Sequence, residues 1–446
     1  MSSSRLLETR SDLPEGPWLV CGLARSGQSA AAALVARGER VIGIDASSPE
    51  GASALSESGV EVHLDTGGEE FVSQVTGVVK SPGVPNSAPA VRAARELGVP
   101  VLGELELGWR MTSGQVIAVT GTNGKTTTTE LIGHLLRESG EDCSVVGNVG
   151  TPISSVVGTE AALKTLVVEA SSFQLEDSVG FAPEVAVLLN LGADHIDRHG
   201  TVASYREAKL RIFDRQSSAD TAVVPEGEKS VEGRGDAKRV TFGGSDSDMK
   251  VSDGGIYWRG VRLADTEDFG LPGEHNLLNA QAAAAACLMH GTDPGTLADG
   301  LRTFEAVPHR LQLVSDQGGV RWYNDSKATN VDSTLTALKA VGSGVHLILG
   351  GDGKGQDFLP LRAAVAGHCV SVHLIGEAEG QLFEVLSESG VHVQQDGDLK
   401  LAVASCARTA RSGESVLLSP ACASFDQFRD FEHRGEEFCS LVEASA

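Results

Sequence analysis

The sequence predicts an α/β fold in three segments, on three observations. Short apolar, β-branched runs recur along the 446 residues, each passes into a turn of small and polar residues, and helical stretches follow the turns. Such alternation gives a mostly parallel sheet with helices on both faces, its turns gathered along the edge where ligands of open α/β sheets bind. The expected division is a Rossmann-like N-terminal domain over residues 1–102, a central P-loop-type domain with a mostly parallel sheet over 103–306, and a Rossmann-like C-terminal domain over 307–446. The length is about three times that of a typical domain, which allows this number.

Residues 18–45, WLVCGLARSGQSAAAALVARGERVIGID, read as a strand, a glycine turn, an alanine-rich helix and a second strand ending at Asp45. The spacing Gly22-x-Ala24-x-x-Gly27 puts alanine where a pyrophosphate would come closest to the backbone. Two readings stand: a nucleotide-diphosphate site, and a helix packed tightly on a strand through small residues. An NAD-dependent oxidoreductase is disfavoured by Ala24. Further strands are expected at 60–64 and 78–80, the latter followed by SPGVP (81–85), whose prolines and glycine force a turn at the strand's C-terminal end. Residues 99–102 lead out of this domain.

The central segment carries VIAVTGTNGKTTTTEL (116–131), an apolar strand turning through two glycines into a helix. It reads as a phosphate-binding loop. Gly121 and Gly124 let backbone N–H groups approach phosphate oxygens, Lys125 reaches the outer phosphates, and Thr126 offers a hydroxyl to Mg²⁺. The strict G-x-x-x-x-G-K-[ST] pattern needs glycine at the position of Val119, so the loop is a shortened variant, and a plain strand–turn–helix with an exposed lysine is the competing reading.

Downstream, SVVGNVGTP (144–152) sets Asn148 at a strand end, and TLVVEASSFQ (165–174) delivers Glu169, Ser171 and Ser172 to another. Beside a phosphate loop, Glu169 reads as a metal ligand rather than a core-edge carboxylate. The strand at 185–190 leads to LGADHIDRHG, where Asp194, His195, Asp197 and His199 crowd one turn; a solvated charged loop is the alternative. YREAKLRIF (205–213) is helical, with Lys209 one turn beyond Tyr205. Residues 217–268 suit a peripheral β-hairpin region without evident chemistry. LPGEHNLLNAQAAAAACLMH (271–290) is a turn into a helix with His275, Asn276 and Asn279 at its start, placed to cap the helix or to read a base edge.

The C-terminal segment opens at Val307-Pro308-His309-Arg310, a hinge candidate. A strand at 320–324 then leads to NDSKATNVDST (324–334), one at 346–349 to LGGDGKGQDF (349–358), one at 372–375, and one at 416–418 to SPACASFDQF (419–428).

Composition limits the function. Hydrophobic residues at 41% and charged ones at 22% suit a globular protein, and the longest apolar run, 282–289, is far too short for a bilayer. The stretch MSSSRLLETRSDLPEG lacks the apolar core of a signal peptide. Seven scattered cysteines, without C-x-x-C spacing, argue for reduced thiols in a cytoplasm and against zinc. A net charge of −24 discourages nucleic-acid and anionic-membrane partners, and requires local cations wherever phosphates and carboxylates bind.

GTNGKTT, GNVG, EASSFQLE, DHIDRHG, AKLRIF, GEHNLLN, HR, NDSKATN, LGGDGKGQDF and LSPACASFDQF with FEHRGEEF resemble, in order over residues 117–438, the motifs of the Mur ligases. Several are shared with folylpolyglutamate synthetases and specify only an ATP-dependent amide ligase. GGDGKGQDF and SFDQF point to the member that joins D-glutamate to UDP-N-acetylmuramoyl-L-alanine in cytoplasmic peptidoglycan precursor synthesis, a monomer using ATP and two Mg²⁺ ions. The N-terminal hundred residues match only in outline, as a uracil-diphosphate-binding domain.

The resemblance implies the following roles. Gly121, Thr122, Asn123, Gly124, Lys125, Thr126 and Thr127 cradle the ATP phosphates, with Lys125 on the transferring γ-phosphoryl and Thr126 at one Mg²⁺. Glu169 and His195 help bind a second Mg²⁺, and Lys209 matches the family lysine that is carbamylated, which turns it into an oxygen donor. Asn148, Ser171 and His195 hold the muramoyl-alanine end, while Asn279, Arg310 and Asp325 contact the nucleotide. Lys327, Thr329, Lys354, Ser424 and Phe431 position D-glutamate. Another Mur-type or folylpolyglutamate-type ligase is the alternative. A phosphate-loop nucleotide switch or kinase is a remote one, since it would need no third domain carrying Lys354 and Ser424.

Overall fold

The computed structural model describes residues 13–271, 273–305 and 308–444, with only the backbone of Asp197. Val307 of the expected hinge, Pro272 before the GEHNLLN helix and the first twelve residues lie outside the described residues. The chain forms two compact units: residues up to 191 with 203–269 and 276–304, and residues 192–202 with 270–275 and 305 onward.

The first unit holds two sheets. One contains β1 (Trp18–Cys21), β2 (Val41–Ile44), β3 (Glu61–His63), β4 (Gly77–Lys80) and β5 (Val101–Gly103), in the order β3-β2-β1-β4-β5. All four pairings are parallel. This is the doubly wound arrangement, with its switch point between β1 and β4. β1, β2 and β4 are buried along their whole lengths, as central strands covered on both faces must be. Helix α1 (Arg25–Ala36) leaves β1 through Gly22 at φ +85°, and a Cβ on Gly27 would lie 1.7 Å from the Gly22 carbonyl oxygen. Close helix-on-strand packing therefore accounts for Gly27. Helices α2 (Pro89–Leu97) and α3 (Glu104–Arg110) flank β5.

The second sheet contains β6 (Val116–Thr120), β7 (Cys143–Gly147), β8 (Thr165–Glu169), β9 (Val185–Leu188), β10 (Thr221–Pro225), β11 (Lys238–Phe242), β12 (Met249–Ser252), β13 (Gly255–Trp258) and β14 (Val261–Asp265). Its order is β14-β13-β12-β11-β10-β9-β6-β8-β7. The hairpin reading of residues 217–268 holds only in part: β10 and β11 continue the sheet in parallel from β9, and only β12 to β14 run antiparallel. Along this stretch come α4 (Lys125–Glu138), α5 (Ser172–Leu175), the short α6 (Ile196–His199) of the second unit, α7 (Val202–Leu210), α8 (Glu274–His290) and α9 (Pro294–Thr303). The alanine run of α8 is buried on all sides, since small side chains permit close packing.

Within this unit the two sheets are tied by buried charge. Nζ of Lys80, fully buried at the end of β4, lies 3.1 Å from Oε1 of Glu176 and 2.8 Å from Oδ2 of Asp177. Burial pushes the Asp177 carboxyl up despite Lys80. From α3, the Glu106 carboxylate accepts the backbone N–H groups of Val179, Gly180 and Phe181 at 3.1, 2.9 and 2.9 Å.

The second unit is built on β15 (Gln312–Gln317), β16 (Val320–Asn324), β17 (Val345–Gly350), β18 (Cys369–Ile375), β19 (His392–Gly397) and β20 (Ser415–Leu418), ordered β15-β16-β20-β17-β18-β19. All its pairings are parallel except the β15–β16 edge. Helices α10 (Val331–Val341), α11 (Leu361–His368), α12 (Glu379–Leu386), α13 (Leu399–Thr409) and α14 (Phe431–Ala444) complete it. Among the described residues, no helix is long and apolar enough to cross a membrane.

Candidate active site

In the first unit the expected loop residues gather at the end of β6. Gly124 caps α4 at φ +86°, and a Cβ there would meet Oδ1 of Asn279 at 2.4 Å, so the buried Asn279 forms the back wall of the loop. Leu189 and the Asn190 side chain hold the loop from β9: Asn190 Oδ1 accepts the Asn123 N–H at 2.9 Å and its Nδ2 donates to the Asn123 carbonyl at 3.0 Å. Lys125 Nζ donates to the carbonyls of Gly121 and Thr122 at 2.9 and 2.8 Å, so the ammonium is held over the loop. Thr127 Oγ1 is buried without a hydrogen-bond partner among the described residues.

Glu169, the last residue of β8, joins the loop to the neighbouring turn. Its Oε2 accepts from Thr126 Oγ1 at 2.7 Å, and its Oε1 accepts from Asn148 Nδ2 at 2.9 Å. Ser171 caps α5 and forms a capping box with Gln174, a local use alongside its expected substrate contact. Lys209 is buried, donates from Nζ to the Gly121 carbonyl at 2.8 Å and lies 4.6 Å from the centre of the Tyr205 ring. Tyr205 in turn donates to Thr122 Oγ1 at 3.2 Å.

A cavity of about 320 Å³ lies between the strand ends of the N-terminal sheet and this cluster. Gly22, Ala24, Arg25, Asp45 and Ser81 line one side, and Asn148 and Gln174 the other. Asp45 shapes the glycine turn: its Oδ2 accepts the Leu23 N–H at 2.7 Å. Both readings of the Gly22–Gly27 stretch are thus compatible, with packing at Gly27 and open space beside Gly22. A second cavity, about 410 Å³, is lined by Leu189, Glu226, Phe242 and Gly243. Leu189 also packs on Gly121 and Gly124, so strands that had shown no chemistry in the sequence wall a space beside the phosphate loop.

The second unit gathers the other expected residues. His195 stands at φ +52°, anchored through Asp194, whose Oδ1 accepts the His195 N–H at 2.8 Å and whose Oδ2 accepts from Asn330 Nδ2 at 2.9 Å. Burial alone would raise the Asp194 carboxyl, but His195, Lys354 and the Asn330 bond hold it below the usual carboxylate range. Asn330 also caps α10. Arg310 sits between two left-handed residues, His309 and Leu311, and its buried Nε has no hydrogen-bond partner among the described residues. Asp325 accepts the Leu311 N–H at 3.2 Å and Ser419 Oγ at 2.8 Å; burial pushes its carboxyl up to about 7 against the pull of Arg310. Lys327 Nζ lies 5.0 Å from the Phe431 ring centre, and Thr329 donates its N–H to the Lys327 carbonyl. Lys354 holds φ +49°, with its N–H on Asp352 Oδ1, and Asp352 pairs with Ala423 next to the buried Ser424.

Arg434 of α14, not singled out in the sequence, clamps two of these turns. It is fully buried and donates to Ser326 Oγ at 3.0 Å, to the Ser326 carbonyl at 2.8 Å, and to the carbonyls of Cys422 and Ala423 at 3.2 Å each. Burial lowers its guanidinium to about 10. The motif FEHRGEEF was the available signal, but a helical arginine gives no sign of partners about a hundred residues away.

Mg²⁺ prefers a few protein oxygens and completes its shell with water and phosphate oxygens. Thr126 and Glu169 supply such a pair, and no group of three His, Cys, Asp or Glu forms a metal cluster among the described residues. An oxygen donor pair of this kind fits Mg²⁺.

Family models match in three places: "Mur ligase MurD-like, N-terminal domain" over residues 17–103, "Mur ligase middle domain" over 119–287 and "Mur ligase, glutamate ligase domain" over 309–422. The UDP-N-acetylmuramoylalanine–D-glutamate ligase of Pelotomaculum thermopropionicum is 40% identical over 442 residues, covering 95% of this chain and 96% of the relative. That of Myxococcus xanthus is 41% identical over 446 residues, covering 96% and 98%. Among solved structures, the UDP-N-acetylmuramate-alanine ligase MurC of Thermotoga maritima matches with a TM-score of 0.62 at 19% identity, over 97% of this chain and all of that one. The MurF ligase of the same organism, solved with ADP, matches with a TM-score of 0.59 at 19% identity, over 99% of each chain.

Proposed function

Given that this chain belongs to the Mur ligase family, we propose that it catalyses the ATP-dependent joining of D-glutamate to UDP-N-acetylmuramoyl-L-alanine, a step of peptidoglycan precursor synthesis. It acts as a monomer in the cytoplasm, with no nucleic-acid partner and no membrane insertion. One observation supports the reading: Glu169 accepts at once from Thr126 of the phosphate loop and from Asn148 of the inter-sheet cavity, so a phosphate held by the loop and an acyl group held in the cavity would meet beside one carboxylate.

The chemistry follows. A carboxylate becomes an acylating group when its oxygen attacks the γ-phosphoryl of ATP and ADP leaves; the amine of D-glutamate then displaces phosphate to form the amide. The loop N–H groups and Lys125 neutralise the transferring phosphoryl. The cavity beside Gly22 and Ser81 takes the uridine-diphosphate end, and Asn148 and Ser171 the alanyl end. Thr126, Glu169, His195 and a carbamylated Lys209 would hold two Mg²⁺ ions, which would supply charge neutralisation between the polyanions. Asn279, Arg310 and Asp325 serve the nucleotide, and Lys327, Thr329, Lys354, Ser424 and Phe431 the amino acid. These cations meet the need for local positive charge in a chain of net charge −24.

The test is phosphate release from ATP with UDP-N-acetylmuramoyl-L-alanine and, in turn, D-glutamate, L-glutamate, L-lysine and meso-diaminopimelate. Turnover with D-glutamate alone is expected. Turnover with another amino acid instead would sink the specific assignment and leave the ligase class standing.

A further inference from the structure

A row of polar side chains crosses the C-terminal sheet away from the site just described. Oδ2 of Asp396 on β19 lies 2.8 Å from Nδ1 of His373 on β18, and Nε2 of His373 lies 2.9 Å from Oγ of Ser371. The same Oγ lies 2.7 Å from Nδ1 of His346 on β17, and Nε2 of His346 lies 3.0 Å from Oε2 of Glu414, just before β20. His346, Ser371 and His373 are all buried. Both nitrogens of both rings are engaged, which fixes the ring orientations.

The four contacts need four protons. Two neutral imidazoles bring one N–H each, the serine brings one O–H and ionised carboxylates bring none, so the supply falls one short. Asp396 accepts, so His373 carries its proton on Nδ1 and takes the Ser371 O–H at Nε2. Ser371 then has only lone pairs for His346, whose Nδ1 must donate, and whose Nε2 must also donate to meet Glu414.

Neither carboxyl makes up the deficit. Oδ1 of Asp396 accepts from Gln394 Nε2 at 2.6 Å and Ser405 Oγ at 2.9 Å, so its neighbours already supply the protons on that side. The bond to His346 holds the Glu414 carboxyl below its ordinary range. Burial lowers His373, so it is the neutral member. Among the described residues, the charged or titratable groups around the row include His392 on β19, Glu379 on α12, Cys406 and Arg408 on α13, Arg411 beside Glu414, and Arg321 on β16, whose backbone N–H meets the Glu414 carbonyl.

We propose that the row Asp396–His373–Ser371–His346–Glu414 holds one proton beyond its neutral-histidine form, on His346, so that the C-terminal unit takes up a proton as it folds. The pH dependence follows by linkage. Above about pH 6.5, the ordinary histidine value, the unfolded chain carries neither proton and the folded one carries one, so the folding constant falls about tenfold per pH unit until the row is deprotonated. Below that value the unfolded chain binds two protons and the folded row one, so stability falls on that side too. The row makes its stability contribution greatest near the histidine range.

Two measurements on the full chain test this. Ring-nitrogen NMR of the ¹⁵N-histidine-labelled protein at pH 7.5, with assignments from Ser371→Ala and His346→Gln, should show two N–H nitrogens on His346 and one on His373. Ser371→Ala frees each histidine to meet its own carboxylate while neutral, so the fall in the folding constant between pH 7 and 8, read by urea unfolding, should shrink to about that of the other titrating groups. Should that variant not fold, His346→Gln, which keeps an acceptor and a donor, is expected to do the same. A bare ring nitrogen on both histidines of the parent, or an unchanged pH slope in the variant that folds, overturns the proposal.

Discussion

Replacing Gly124 by alanine is the sharpest probe of the phosphate loop. The residue holds φ +86°, and its new Cβ would sit 2.4 Å from Oδ1 of Asn279 and 3.1 Å from Cδ1 of Leu189. A left-handed conformation costs a non-glycine residue about 1–2 kcal/mol, and displacing a buried wall by overpacking costs about 1–3 kcal/mol more. The expected loss of stability is therefore about 2–5 kcal/mol. Because the loop's N–H groups move with Gly124, ATP affinity should fall at least about tenfold, or about 1.4 kcal/mol. Urea unfolding and calorimetric ATP titration read the two effects. The double variant Gly124→Ala/Asn279→Ala removes the steric part and leaves the backbone part, so the two substitutions should show favourable coupling of about 1–3 kcal/mol in a double-mutant cycle. A Gly124→Ala protein within about 0.5 kcal/mol of the parent, binding ATP as tightly, would refute this account of the loop.

Three further outcomes are expected. Glu169→Gln keeps the shape of the side chain but loses the anion shared by Thr126 and Asn148, so folding should change by no more than about 1 kcal/mol while amino-acid-dependent phosphate release falls about 10²- to 10³-fold; full activity at low Mg²⁺ would remove Glu169 from the metal site. Lys209→Ala should be inactive and partly restored by added short-chain carboxylic acids, which resupply an oxygen donor; no restoration by several such acids would count against the carbamate. Asp325 has a folded carboxyl near 7, raised above its ordinary value by burial, so its stability contribution is present at acid pH and lost as pH rises through about 7. Urea midpoints compared at pH 5 and pH 8 should therefore fall more in the parent than in Asp325→Asn, and equal falls would show that Asp325 does not titrate there.

Much of this was legible locally. A β-branched run ending in a carboxylate or amide, as in TLVVE before Ala170 or SVVG before Asn148, sets that side chain at a strand's C-terminal end whatever the rest of the fold does. The glycines of the loop announce a close approach, though not what approaches: Asn279 lies well over a hundred residues later, on a helix whose capping pattern looked local. Lys80 ends a strand and meets Glu176 and Asp177, and Arg434 meets carbonyls near Ser326, because topology folds these positions together. No periodicity encodes such pairings. Residues 221–242 read in sequence as part of a hairpin region because a short parallel strand toward a sheet's margin has the same composition as a hairpin strand; only the pairing of β10 to β9 tells them apart.

The Lys80 ion pairs and the Glu106 clasp have a metric consequence. They tie together the two sheets that wall the inter-sheet cavity, from the Gly22 turn on one side to Asn148, which donates to Glu169, on the other. On the proposed function, a substrate gripped by its nucleotide end would be measured as by a caliper: only a tail of the right reach would bring its terminal carboxylate to the phosphate loop, so selection by length would precede any reading of the amino acid.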